Sequence, residues 1–75
     1  MDIKEKMAGR IKDLREERCL TQKDLAYSSN LDSSYIADVE RGMRNISIVN
    51  IEKIAKALNI SIQKLFTDPR FNTNE

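Results

Sequence analysis

The chain has no histidine or tryptophan, one cysteine, one proline and two glycines in 75 residues. Each scarcity removes a class of answers. Without histidine the usual general base of nucleophilic catalysis is absent, and a lone Cys19 forms no internal disulfide and makes a zinc site a poor fit. An enzyme is not expected, and neither a metal nor another cofactor is. Aromatic residues make up 5% of the chain, and with so little Gly and Pro the composition favours helices over sheets. An all-α fold is expected. No apolar stretch approaches the roughly 20 residues that a membrane span requires. The opening MDIKEKMAGRIKDLREER also lacks an apolar core of signal-peptide length. No membrane partner is expected, and the expected location is the cytoplasm.

A large charge of either sign is missing too. Thirteen basic and twelve acidic residues leave a net charge of +1. Any electropositive face must come from arrangement, since the total supplies none. Size is the last shortage: a domain this small buries only about 60% of its unfolded surface. With so thin a core, a partner subunit is expected.

What is present is helical periodicity. Ile3, Met7, Ile11 and Leu14 form one stripe of a helix over residues 3 to 18. Leu20 then precedes Thr21, an N-cap residue, with Asp24 three positions on in nearly a capping-box arrangement, so a second helix covers residues 22 to 29. Asn30 tolerates the left-handed backbone of a tight turn. Asp32 or Ser33 caps a third helix with Ile36 and Val39 inward, ended by Gly42. Ser47 caps a fourth helix, with Ile48, Ile51, Ile54, Ala55 and Leu58 on one side and Asn59 closing it. Ser61 opens a short last helix containing Ile62, Leu65 and Phe66, which must stop before Pro69. The domain reads as residues 1–66, and residues 67–75 read as a polar tail that frays.

Residues 22 to 42 fit a helix-turn-helix frame: Leu25 buried, Ala26 small at the helix crossing, Asn30 in the turn, then Leu31, Ile36 and Val39 buried. A short helix held at a fixed angle by its neighbour can enter the roughly 12 Å wide major groove of DNA. The outward residues of the third helix would be Ser33, Ser34, Tyr35, Ala37 and Asp38. Hydroxyls bond base edges or phosphates, Ala37 meets a thymine methyl, and Tyr35 lies against backbone or a pyrimidine edge. Asp38 is repelled by phosphates unless it accepts from a cytosine amino group. Phosphate attraction would come from Gln22 and Lys23 at the start of the second helix and from Arg41, Arg44 and Asn45 after the third. The alternative for Arg41 and Arg44 is plain solvated charge. Ile60, Ile62, Leu65 and Phe66 are more apolar than a monomer's terminal element needs, unless all fold inward, and a twofold dimer through them is expected.

LTQKDLA, YIADVERG and IEKIAKAL, in this order and separation, resemble the phage-repressor or Cro-like helix-turn-helix family. The run LDSSYIADVERGMRNISIVNIEKIAKAL is most similar to the controller proteins of restriction–modification systems. The resemblance implies a five-helix domain, dimerisation through the C-terminal helices, binding of inverted-repeat operators in double-stranded DNA, and RNA polymerase as a further candidate partner. It also implies a structural ion pair between Arg15 and Glu40, DNA-facing positions at Gln22, Ser33, Ser34, Tyr35 and Asp38, and a backbone-contacting loop at Arg44 and Asn45. Ser33 stands where controller proteins often carry Arg, and Cys19 where relatives usually carry Gly. Two other readings share the fold: a phage-type repressor, and an antitoxin-like module whose third helix buries itself in another protein.

Overall fold

Five helices follow one another in the computed structural model, which describes residues 1–72: α1 Ile3–Glu17, α2 Gln22–Ser29, α3 Ser33–Glu40, α4 Ile48–Ala57 and α5 Ile62–Leu65. A 3-10 turn, Pro69–Phe71, follows them as the last element among the described residues. Side chains at both ends dictate these boundaries. Asp2 with Glu5, and Thr21 with Asp24, form reciprocal capping boxes on α1 and α2. Ser47 and Ser61 cap α4 and α5 through the backbone N–H of Asn50 and Lys64. Each cap satisfies amide donors that the helix itself leaves unpaired.

Four of the helix ends share one device. Leu20, Leu31, Met43 and Ile60 donate their N–H groups back to the carbonyls of Arg15, Ala26, Asp38 and Ala55, each across a residue with positive φ. That is the Schellman closure, and it needs a left-handed residue: Cys19, Asn30, Gly42 and Asn59 in turn. Asn and Gly adopt this conformation readily, whereas Cys19 at φ 56° does so against a Cβ clash.

The core is drawn from every helix: Met7, Ile11 and Leu14 from α1, Leu25 and Ala26 from α2, Ile36 and Val39 from α3, Ile54 and Ala55 from α4, Leu58 at its end, and Leu65 from α5. Two residues expected inside are not there. Ile3 and Ile48 are 59% and 69% exposed. Each is the first residue of its helix, so its side chain stands beyond the last core layer although the periodicity includes it. Leu65 departs in the other direction. Expected at a dimer surface, it is fully buried, because α5 turns this residue toward α4 and the shared core.

The tail is docked over its described part, in contrast to the fraying expected of it; residues 73–75 lie outside the described residues. Arg10 of α1, itself buried, donates to the carbonyl oxygens of Lys64 and Leu65 at 2.9 Å each and reaches Asp68 at 3.4 Å. Arg70 bonds both Asp68 and Asp13. The backbone N–H of Arg70 is the main cause holding the Asp68 carboxyl below its ordinary pKa, with the Arg70 side chain adding to it. Phe71 rests on Phe66 with ring centroids 5.2 Å apart.

The strain at Cys19 is removable. Cys19→Gly relieves about 1 kcal/mol of left-handed strain, partly offset by the greater freedom of glycine in the unfolded chain. Calorimetry is expected to record a melting temperature higher by a few degrees, and a lower value would contradict the strained turn.

Candidate nucleic-acid interface

The corner between α2 and α3 is set by one buried carboxylate. Glu40, at the end of α3, accepts from Arg15 Nε at 2.7 Å and Arg15 Nη2 at 3.0 Å, and from Gln22 Nε2 at 3.1 Å. The remaining Arg15 nitrogen, Nη1, donates to the Leu20 carbonyl just before α2 at 2.7 Å. Arg15 and Glu40 side chains are only 11% and 3% exposed, and the Glu40 hydrogen bond raises the Arg15 pKa above its ordinary value. A fork-to-fork pair of this kind fixes direction as well as distance. Three elements therefore meet at one point, and the angle of α3 follows from it. Gln22, which the resemblance implied to face DNA, is half-buried with its amide nitrogen held by Glu40.

With Ile36 and Val39 in the core, the opposite side of α3 is turned outward, and Ser33 and Ser34 are exposed at its start. Asp32 occupies the cap position without a side-chain cap bond, unlike the capping residues of the other four helices. Its first-turn N–H groups thus lack that internal acceptor, and a helix N-terminus in this state suits an anion. Ala37 and Asp38 are partly exposed, while Lys23, Arg41, Arg44 and Asn45 are exposed around the helix.

Tyr35 is less outward than expected. Its ring leans on the core, its hydroxyl accepts from Asn50 Nδ2 at 3.1 Å, and the Arg44 guanidinium lies 5.1 Å from the ring centroid. Asn50, on α4, is the contributor that sequence reasoning missed. Its helical position was readable, but its partner lies on an element 15 residues away. Asp38 also has partners: Arg41 pairs with one of its oxygens, and Arg44 with the other at 3.2 Å.

A second surface lies beside this face. Ile3, Met7, Ile46, Ile51 and Phe66 line a shallow apolar groove whose rim includes Lys4, Arg44 and Asn45. Ile48 stands one turn before Ile51, and Val49 beside it is also exposed. Ile60 and Ile62 are half-buried against the protein's own core. Among the described residues no group of three or more His, Cys, Asp or Glu side chains is arranged to hold a metal ion.

Two short helices at a locked angle, the second with a polar outward face ringed by cations, define a helix-turn-helix domain. The family described as Helix-turn-helix matches residues 11–65. Control protein C.MunI of a Mycoplasma species is 41% identical over 68 residues, spanning 89% of this chain and 92% of that protein. The restriction–modification controller protein C.AhdI of Aeromonas hydrophila superposes with a TM-score of 0.82 at 48% identity, covering 84% of this chain and 96% of its own. Controller protein C.Esp1396I, solved as a tetramer in complex with its natural 35 base-pair operator, gives 0.83 at 42% identity and 88% coverage of each chain. The chain belongs to the helix-turn-helix family of restriction–modification controller proteins.

The Arg15–Glu40 pair predicts a specific pattern of stability. Glu40→Ala strands a buried guanidinium and is expected to cost about 3–5 kcal/mol, whereas replacing the pair together by Met and Leu recovers most of that loss. Urea unfolding of the single and double variants checks this. Equal losses in both would show that the pair is not the joint holding α3.

Proposed function

We propose that the chain is a sequence-specific regulator of transcription that binds inverted-repeat operators in double-stranded DNA as a dimer, within a restriction–modification system. The observation that carries this reading is α3 itself, anchored at its end by Glu40 and offering Ser33, Ser34 and uncapped N–H groups at its start. Its eight residues make a rod about 12 Å long, a fit for the major groove. Lys23, Arg41, Arg44 and Asn45 surround it as phosphate contacts, with Ser34 and Tyr35 over the bases. The operator complex of C.Esp1396I supports the same role for this chain, as does the control protein from the Mycoplasma species.

No helix among the described residues is long and apolar enough to cross a membrane. The place of action in this reading is the cytoplasm, where the DNA is. RNA polymerase is the partner through which such a regulator acts when its operator adjoins a promoter. The protein binds and does not catalyse.

The dimer surface is the groove of Ile3, Ile46, Ile51 and Phe66 with the neighbouring Ile48, bordered by Ile60 and Ile62. Leu65 belongs to the core and not to this surface. In this reading a second copy covers the face about a twofold axis, and DNA half-sites require the two α3 helices to stand roughly 34 Å apart, one turn of DNA.

DNA binding, sedimentation and unfolding measurements test the reading. Operator affinity is expected to fall steeply with salt, and Arg44→Ala to weaken it and flatten the logarithmic slope by about 0.9 for each protomer bound. Ser34→Ala should alter discrimination at one base pair. A salt-independent affinity would favour a protein partner in place of DNA. In sedimentation, Ile48→Glu is expected to shift the chain to monomer with its fold intact. Leu65→Ala should instead lower unfolding stability by about 2–5 kcal/mol through a core cavity. A dimer that survives both Ile48→Glu and Phe66→Ser excludes this face.

A further inference from the structure

Four of the chain's six arginines are committed to the scaffold. Arg10 and Arg18 bond carbonyls of Leu65 and Leu58, Arg15 bonds Glu40, and Arg70 bonds Asp13 and Asp68. The remaining two, Arg41 and Arg44, stand on the proposed DNA face, and one carboxylate holds both. Asp38 gives one oxygen to Arg41 and the other to Arg44, whose Nε lies at 3.3 Å and Nη2 at 3.2 Å. Arg44 is held from a second side by the Tyr35 ring, and Tyr35 in turn by Asn50. The arginines are 63% and 49% exposed, so a ligand arriving from solvent meets them already paired.

From this arrangement we infer that Asp38 determines specificity by masking the two arginines until a correct site releases them. The inference rests on the DNA-binding reading and goes beyond it. Asp38 lies one turn after Ser34 on the outward side of α3, so it enters the groove with the helix. A phosphate that takes the Asp38-bound nitrogens of Arg41 or Arg44 must displace a carboxylate already bound, and the freed carboxylate then faces a negative duplex. On an arbitrary sequence these opposing terms leave little gain. On a sequence that presents a cytosine amino group to Asp38, the carboxylate acquires a new donor as the arginines move to phosphates, and both contacts form together. A chain of net charge +1 thereby keeps its cations for one class of site.

The test compares the wild type with Asp38→Asn on two labelled duplexes: one selected by the wild type from a random pool, and a scrambled control. Asp38 caps no helix, and Asp38→Ala provides a second neutral variant, with thermal melting to verify both folds. Removing the carboxylate should steepen the salt slope on scrambled DNA by about 0.9 for each arginine that reaches a phosphate, roughly an eightfold gain per such contact over each decade of falling salt. The selected duplex should gain less, so the ratio of affinities falls. In an Arg41→Ala, Arg44→Ala background the same change should produce only the small gain of relieving one carboxylate's repulsion, with no steepening of the salt slope. Unchanged affinity for scrambled DNA overturns the inference, as does a gain equally large without the arginines, which would mean simple repulsion. A loss confined to one base pair of the selected duplex, with scrambled DNA unaffected, makes Asp38 a base reader only and also overturns it. If the wild type selects no duplex at low salt, the DNA-binding reading fails first and the masking role falls with it.

Discussion

Glu40 is the one carboxylate on which the rest of the structure depends. It is nearly inaccessible to water, and burial of a charge is tolerated only when its lone pairs are filled. Arg15 and Gln22 fill them, one from α1 and the other from α2, and the same Arg15 closes the chain between these helices through the Leu20 carbonyl. Removing any partner exposes the others to an unmet electrostatic cost. The angle between α2 and α3 is thus held by this pairing together with the packing of two eight-residue helices.

Arginine does this work throughout the scaffold. Arg10 holds the end of α5 and Arg18 the carbonyl of Leu58 after α4, so α1 terminates its neighbours as well as packing against them. Short helices have a large share of their carbonyls unpaired, and guanidinium groups satisfy two at a time. Most arginines face inward or along seams, and the pair left on the outer rim is already occupied by Asp38.

Stability and recognition meet at the loop after α3. Arg44 touches the Tyr35 ring and Asp38 on one side and borders the apolar groove on the other. Covering the groove with a second copy, as proposed, would therefore restrict the same residue that is proposed to reach toward phosphate. The proposed dimer and DNA faces thus share a joint.

The sequence by itself determined the helices and the corner. N-caps such as Thr21, Ser47 and Ser61, and the left-handed Asn30 and Gly42, act over three to six residues, so their meaning is contained in the local string. Tertiary structure alone decided which apolar residues are inside and where the polar groups pair. Ile48 and Leu65 obey equally good periodicity, yet one is exposed and the other buried, because periodicity records direction around a helix and not how far the neighbouring layer extends. Arg10 with Leu65, Arg18 with Leu58, Asn50 with Tyr35 and Arg70 with Asp13 join positions 15 to 57 residues apart. No local pattern encodes those meetings, since each exists only once packing has brought two helix ends to the same place.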